Sequence, residues 1–130
     1  MAKAYRLQPE VIIPDGVTLD LPGIYEWAIT YPDGSVRRYV GKYTRRSRPT
    51  REYRANVERL LDGRPYRKAS PAGFRLVHRE LAQAAEAGRT IILTILENAA
   101  PEDLNRREQE LIRERGATLN GGLSEPAVEL

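Results

Sequence analysis

The chain has 130 residues, 41% of them hydrophobic and 30% charged, which is the composition of one folded domain and excludes a disordered chain. It has no cysteine, so disulfides, thiolate chemistry and cysteine-held zinc or iron–sulfur sites are excluded. The single histidine, His78, argues against a multi-histidine metal site, and we predict that it lies on a helix surface. No apolar run approaches the roughly 20 residues that span a bilayer, and the first ten residues lack the apolar core of a secretion signal. We therefore expect a cytoplasmic protein with no membrane partner.

Positive charge is concentrated in one part of the chain. Lys and Arg total 21 against 18 Asp and Glu, a net charge of +3. Residues 37–68 alone contain twelve basic and three acidic residues, a local charge of +9, so the remainder carries −6. Eighteen of the basic residues are arginine, which makes bidentate phosphate contacts that lysine does not. This block predicts a polyanion-binding face, and an ordinary solvated helix surface is the alternative.

The first 43 residues contain an arm and a predicted β-hairpin. Residues 1–21, with a turn signal at Pro14-Asp15-Gly16, are expected to form an arm or short strand that packs on the domain. From Tyr25 to Tyr31, aromatic and apolar side chains recur at every second position, which indicates a strand with one buried face. Pro32-Asp33-Gly34 then fits a three-residue hairpin loop, with glycine in the left-handed conformation.

The length of this loop determines which residues of the hairpin face each other. Continuing the register from the loop places Trp27 opposite Tyr39 and Tyr25 opposite Gly41. Tyr25 and Tyr39 are then diagonal neighbours on one face, roughly 7–8 Å apart by backbone. A two-residue loop would turn Tyr39 to the other face, so the register is a specific prediction.

Two helices are predicted next. Ser47-Arg48-Pro49 is typical of a helix start, and Gly63 ends the helix. Ser70-Pro71 opens a second helix that stops at Gly88. Its inward side chains are expected to be Phe74, Val77, Leu81 and Ala85.

A buried strand and a third helix complete the predicted domain. Residues 90–96 are β-branched and apolar, which indicates the strand, and Pro101 starts a helix that runs to about Arg115 with Gly116 as its C-cap. The predicted fold is a small α/β domain of the α+β type. Its elements follow in the order β-β-α-α-β-α, and its mostly antiparallel three-stranded sheet is flanked by helices. The domain occupies residues 22–122, and residues 123–130 form a tail.

One carboxylate of the third helix interrupts an apolar pattern. The apolar stripe is formed by Leu104, Leu111 and Ile112. At about 100° per residue, Glu108 falls in the middle of this stripe, whereas Glu110 falls on the opposite face. An inward carboxylate is costly unless it is paired or binds a metal. Glu108 is therefore a candidate ligand, and the alternative is that it pairs with an arginine such as Arg115.

Three of these features together resemble the GIY-YIG nuclease superfamily. They are Glu108 and the two triplets Gly23-Ile24-Tyr25 and Tyr39-Val40-Gly41, the second of which has valine in place of isoleucine. The metal-binding glutamate of the family lies three residues before Leu-Ile and twelve before an Asn, and Glu108, Leu111-Ile112 and Asn120 reproduce that spacing. The resemblance covers residues 22–122. It implies a metal-dependent endonuclease that hydrolyses DNA phosphodiester bonds with Mg²⁺ or Mn²⁺.

The resemblance also implies a role for each matching residue. Tyr39, as a phenolate or through a hydrogen bond to Tyr25, would be the general base that takes a proton from water. Free tyrosine titrates near pH 10, and nearby cations favour the phenolate. Lys42 is one such cation. An arginine at the helix start would neutralise the pentavalent phosphate, and we assign this role to Arg48, with Arg51 as the alternative.

The acidic position of the family carries the metal, and one neighbouring position departs from the family. Glu108 would hold the metal that stabilises the leaving oxygen. Many members have His or Tyr four residues after the arginine, where this chain has Glu52. Tyr53, next to it, is a candidate for part of that role. Asn120 is expected to anchor the segment after the third helix rather than to contact substrate.

DNA is the expected partner. Contacts to backbone phosphates, which give affinity without sequence choice, are expected from Arg45, Arg46, Arg51, Arg54, Arg59, Arg64 and Arg67. Specific cleavage of a duplex would require a homodimer or a target defined by its structure. Two other functions stay open: a catalytically impaired DNA-binding or partner-binding module on the same fold, favoured by Glu52, and an RNA nuclease. Without the resemblance, Tyr25 and Tyr39 are ordinary strand aromatics.

Overall fold

The computed structural model describes residues 5–123, with side chains through residue 120. The strands are β1 (Glu10–Ile12), β2 (Gly23–Thr30), β3 (Val36–Tyr43) and β4 (Ile91–Asn98), and the helices are α1 (Arg51–Leu61), α2 (Leu76–Ala87) and α3 (Leu104–Glu114). Two short 3₁₀ segments, Pro101–Asp103 and Thr118–Leu123, flank α3. Within the described residues, no helix is long and apolar enough to cross a membrane. The predicted tail beyond residue 123 lies outside them.

The α+β class is confirmed, but the sheet has four strands instead of the predicted three. The strand order is β1-β4-β2-β3, with β2 antiparallel to both of its neighbours and β1 parallel to β4. The added strand comes from the predicted arm, where Val11 pairs with Leu93. All three residues of β1 are exposed, so this strand lacks the alternating burial by which a sequence pattern reveals a strand.

The predicted hairpin register is confirmed. The N–H of Tyr31 donates to the carbonyl of Ser35 at 2.8 Å, and Gly34 adopts the left-handed conformation with φ +86°. Trp27 pairs with Tyr39, and Tyr25 pairs with Gly41. A type I turn followed by a left-handed glycine adds one residue to the loop, and that residue places both tyrosines on one face of the sheet.

The sheet separates two apolar layers. One face carries Tyr25, Trp27 and Tyr39 and is covered by α1 and α2 through side chains such as Val57 and Leu81. The other face carries Ile24 and Val40 and is covered by Leu104 and Leu111 of α3. Because successive side chains of a strand point to opposite faces, the edge strand β3 contributes to both layers.

The predicted helix starts differ from the observed ones. The second helix begins at Leu76 and not at Ser70-Pro71, because residues 66–73 form turns in which the N–H of Tyr66 donates to Pro71 and that of Gly73 donates to Ser70. The first helix begins at Arg51, and the preceding residues make a turn closed by the N–H of Arg48 on the carbonyl of residue 45. The third helix follows the prediction after its 3₁₀ start.

The prediction for His78 is wrong, because the side chain is fully buried. It lies three residues before Leu81 in α2, so it shares the inward face of that helix. Its ring lies among aromatic rings, with centroids 5.4 Å from Tyr53 and 6.1 Å from Phe74. Burial, and then the positive charge of Arg75, lowers the pKa of His78 to about 3, so the ring is neutral.

Candidate functional site

The two tyrosines of the triplets meet on the face covered by α1 and α2. The ring centroids of Tyr25 and Tyr39 are 6.3 Å apart, and Tyr53 of α1 lies 5.6 Å from the first and 6.4 Å from the second. Tyr25 and Tyr53 are each 1% exposed, whereas Tyr39 is 6% exposed. The three phenols form one buried group, which we call the tyrosine cluster, and Tyr39 is the member nearest to solvent.

The glycine of the second triplet makes room for the cluster. A Cβ added at Gly41 would lie 2.5 Å from both Cζ and the hydroxyl oxygen of Tyr25, far inside van der Waals contact. Gly41 pairs with Tyr25 across the two strands, so the phenol ring lies over the glycine backbone. A Cβ at Gly23, in the first triplet, would overlap the carbonyl oxygen of Glu97 on β4. Close approach is therefore the physical reason for glycine at both positions.

The hydrogen bonds of the cluster differ from the expected ones. The hydroxyl of Tyr25 bonds to that of Tyr53 at 2.6 Å, instead of to Tyr39. Burial, and then the neighbouring phenol oxygen of Tyr39, raises the pKa of Tyr25 well above its ordinary value. Burial likewise raises the pKa of Tyr53. Both phenols therefore stay protonated, and Tyr53 makes the hydrogen bond to Tyr25 that was predicted for Tyr39.

Arg75, at the residue before α2, supplies the cation of the cluster. Its two terminal nitrogens donate to the hydroxyl oxygens of Tyr39 at 2.6 Å and Tyr53 at 3.1 Å. Its guanidinium carbon lies 5.4 Å and 5.6 Å from the centroids of the two rings. Burial opposes the charge on Arg75, but the surrounding phenol oxygens outweigh burial and raise the pKa of its side chain.

Glu108 lies across the edge strand from the tyrosine cluster. It belongs to α3, on the opposite face of the sheet, and its Oε1 lies 3.7 Å from Nζ of Lys42 on β3. Its side chain is 16% exposed, compared with 31% for Glu110, so Glu108 is the more buried of the two carboxylates. Lys42 also hydrogen-bonds the side-chain oxygen of Asn105. The structure thus joins Glu108 to Lys42 and joins Tyr39 to Arg75, on the two sides of one strand.

The alternative prediction, that Glu108 pairs with Arg115, is wrong. Arg115 does not pair with Glu108 but hydrogen-bonds the carboxylate of Glu26, which is buried on the α3 face of β2. Arg38 lies 3.9 Å from the same carboxylate. Two guanidinium groups therefore neutralise Glu26, and Lys42 is the cation beside Glu108.

A hollow of about 320 Å³ opens where β3 passes into α1. Its walls include Lys42, Arg45, Arg48, Glu52, Arg67 and Leu104. Arg48 is half-buried, and its guanidinium carbon lies 5.7 Å from the ring centroid of Tyr53. Arg51, the alternative phosphate clamp, is exposed and does not line the hollow. Of the two candidates for the phosphate clamp, the structure therefore favours Arg48, which lines the hollow and lies beside the cluster.

Glu52 is held by basic groups of the same hollow. It accepts hydrogen bonds from Arg45 at 2.7 Å and from the hydroxyl of Ser47 at 3.0 Å, and its other oxygen lies 3.5 Å from Arg48. Burial opposes its charge, but the bonds from Arg45 and Ser47 outweigh burial and lower the pKa of Glu52. The carboxylate is thus ionised, and it reduces the positive charge that the hollow offers to a phosphate.

The predicted phosphate-contacting arginines surround this hollow and α1, and several of them have partners within the protein. Arg46 pairs with Asp20 at 3.2 Å, whereas Arg54 and Arg67 stack on the rings of Tyr5 and Tyr66 at 4.6 and 4.7 Å. Arg59 donates to Asn56, and Arg64 pairs with Asp62. Arg51 forms no ion pair with any residue whose side chain the structure describes.

Asn120 has the anchoring role that was predicted for it. Its side-chain oxygen accepts from the N–H of Val40 at 2.8 Å, and its side-chain nitrogen donates to the carbonyl of Val40 at 2.7 Å. Val40 is the central residue of the second triplet. The amide therefore pairs with the outer edge of β3 as another strand would, and it connects the end of the fold to the middle of the site.

The donor set for a metal is small. Among the described residues, no group of three His, Asp or Glu side chains comes together. Mg²⁺ commonly takes one or two protein carboxylates and completes its shell with water and substrate phosphates. Glu108 fits such a site. Nζ of Lys42 lies 3.7 Å from its carboxylate, beyond hydrogen-bond distance, so the lysine does not occupy the oxygens that an ion would use. The residues present are therefore compatible with one divalent ion held by one carboxylate.

Arg75 is the site residue that sequence reasoning missed. It lies 36 residues after Tyr39 and 22 after Tyr53, outside the dense basic block and outside the quoted motifs. One signal was available, because Arg75 is adjacent to the inward-facing Phe74 and three residues before His78. No local pattern indicates which phenol such an arginine would contact.

Comparisons with protein-family models, with curated proteins and with solved structures found no match to this chain.

Proposed function

We propose that this protein is a metal-dependent endonuclease of the GIY-YIG type that hydrolyses DNA phosphodiester bonds. One observation carries the proposal: residues distant in sequence meet on the two sides of edge strand β3. On one side, a guanidinium donates to the hydroxyl oxygen of Tyr39. On the other side, the carboxylate of Glu108 lies beside Lys42. A proton acceptor, a carboxylate and several cations are the groups that phosphodiester hydrolysis requires. Lys42 and Arg48 line the hollow beside them, whereas Tyr39 and Glu108 are not among its lining residues.

The proposed mechanism assigns one task to each group. Tyr39 accepts a proton from the attacking water, since Tyr25 and Tyr53 are held protonated by burial. Arg48 neutralises the charge that builds up on the phosphate. Lys42 orients Glu108, which would hold Mg²⁺ or Mn²⁺. The chemistry that such an ion supplies when bound is stabilisation of negative charge on the leaving oxygen.

DNA is the substrate class that the charge distribution favours. The hollow is lined by four basic side chains and one carboxylate, and α1 adds further arginines along its exposed surface. Such a surface binds backbone phosphates and releases counterions, so affinity falls steeply with salt. We expect the double substitution of Arg51 and Arg67 by Gln to flatten the plot of log affinity against log salt by about two units of slope. Arg113→Gln, on the exposed surface of α3, is the matched control.

Nicking of supercoiled plasmid tests the proposal directly. The wild type should nick DNA with Mg²⁺ or Mn²⁺ and not with EDTA. Tyr39→Phe and Glu108→Ala should each lower the rate at least about 100-fold, the usual minimum for losing a general base or a metal ligand. Tyr31→Phe, a phenol just beyond the end of β2, and Glu110→Gln, on the same helix as Glu108, should stay active. A purified, folded protein that binds DNA and nicks neither DNA nor RNA under varied metals would refute the enzyme proposal.

Glu52 favours a second candidate function, a DNA-binding module without cleavage. Its carboxylate faces Arg45 and Arg48 and competes with a phosphate for both. Glu52→Gln separates the two functions. If the protein is an enzyme, this substitution should raise both DNA affinity and nicking rate. If the protein is a binding module, it should raise affinity alone.

A further inference from the structure

The side chain of Arg75 bridges two phenols of the tyrosine cluster. One terminal nitrogen donates to Tyr39 and the other donates to Tyr53, so both ends of the planar guanidinium are fixed. The residue itself is half-buried, and the carbonyl of Arg75 accepts from the N–H of Arg79 at the start of α2. Arg75 is therefore positioned by the helix that it precedes and by two side chains of other elements.

The chemistry of arginine determines where the protons of the cluster point. A guanidinium has five N–H donors and no acceptor, so the oxygens of Tyr39 and Tyr53 must both accept from it. The hydroxyl of Tyr53 also hydrogen-bonds the hydroxyl of Tyr25. The O–H of Tyr39 has no such partner in the cluster, and its proton is directed away from Arg75. Tyr39 is also the most exposed of the three phenols.

We propose that Arg75 is a positioning residue that selects Tyr39, among three adjacent phenols, as the proton acceptor. The proposal rests on the endonuclease function proposed above and adds a residue that the triplets and the metal-binding glutamate do not include. A charge-assisted hydrogen bond from a guanidinium to a phenolate is stronger than one to a neutral phenol. Arg75 thus stabilises the form of Tyr39 that accepts a proton from water.

The other groups that act on Tyr39 come from each neighbouring element. Arg48, before α1, adds a second positive charge, while Tyr25 of β2 and Tyr53 of α1 add phenol oxygens. His78 of α2 is neutral, and its Nδ1 accepts from the backbone N–H of Arg75 at 3.1 Å. On the opposite face of β3, Lys42 and Glu108 compensate each other. The direct hydrogen bond of Arg75 distinguishes it from Arg48.

Titration of the tyrosine ring signals tests this role without DNA or metal. The protein is labelled with ¹³C at the tyrosine Cζ, and Tyr39→Phe assigns the signal. In Arg75→Gln, the titration midpoint of Tyr39 should rise by about one pH unit or more, the range for removal of an adjacent opposite charge. Arg75→Lys should restore part of the shift, because it keeps the charge and loses the two-pronged contact. Arg79→Gln, one turn later, should leave the midpoint unchanged.

Tyr53→Phe provides a second variant in case Arg75→Gln does not fold. It removes one of the two anchors of Arg75 and leaves Tyr39 intact, so a smaller rise of the midpoint is expected. An unchanged Tyr39 midpoint in folded Arg75→Gln or Tyr53→Phe would overturn the proposal.

The pH profile of plasmid nicking links this role to the proposed function. In Arg75→Gln, the acidic limb of the profile should move to higher pH by the same amount as the ring signal. A shifted ring signal in a wild type that never nicks DNA would refute the endonuclease and leave the effect of Arg75 on Tyr39 supported. Nicking with a profile that does not move in Arg75→Gln would refute the role of Arg75 and leave the endonuclease supported.

Discussion

Gly41→Ala should be strongly destabilising, although it adds only one methyl group. The new Cβ would lie 2.5 Å from the hydroxyl and Cζ of Tyr25, whose ring is buried and packed on three other aromatic side chains. The ring must therefore move, and its 2.6 Å hydrogen bond to Tyr53 must break. Overpacking of a core costs about 1–3 kcal/mol, and a buried hydroxyl left without its partner costs about 1–3 kcal/mol. We expect a loss of about 2–6 kcal/mol in the free energy of unfolding.

Urea denaturation followed by tryptophan fluorescence measures this loss, since Trp27 lies on β2, the strand of Tyr25, and packs on Tyr53. The decisive control is the same substitution in a Tyr25→Leu background, where the ring tip that meets the Cβ is absent. Gly41→Ala should then cost less than about 1 kcal/mol, which makes the two changes strongly coupled. A loss of equal size in both backgrounds would show that the close approach to Tyr25 is not the reason for glycine at this position.

Three further predictions concern other parts of the fold. His78 is neutral when folded and gains a proton on unfolding below its ordinary pKa of 6.5, so the free energy of unfolding decreases as the pH is lowered. Between pH 7 and pH 5 the wild type should lose about 2 kcal/mol more than His78→Gln, and parallel losses in urea titrations would contradict this. Asn120→Ala should cost about 1–3 kcal/mol in the same assay, because the buried N–H and C=O of Val40 lose their partner. Glu58→Gln should release the segment around Leu7, since the carboxylate accepts from two backbone N–H groups there, and faster proteolysis of that segment than in wild type is the readout.

The hairpin was predictable because its determinants are local. Three loop residues, a left-handed Gly34 and period-two burial together allow one register, and that register brings Tyr25 and Tyr39 together. Strand β1 was not predictable in the same way, because its pairing partner lies about 80 residues away and its three side chains are exposed. Its position in the sheet depends on the unpaired edge of β4, which no local pattern in residues 10–12 encodes.

The residues of the candidate site also differ in whether the local sequence determines their position. Helical periodicity identified the inward orientation of Glu108, because a position within a helix is a local property. Its partner depends on which strand α3 packs against, so Arg115 was an equally reasonable candidate until the layers were known. Arg75 and His78 were missed for the same reason. Both act through Tyr53, on a different helix, and a single helix pattern contains no information about that contact.

The link between Asn120 and Val40 has a consequence for the order in which the protein is made. The two residues are 80 positions apart, so a chain emerging from the ribosome carries β3 with an open outer edge until residue 120 is released. An open edge is a template for pairing with other chains, which makes a chain truncated before residue 120 prone to aggregate.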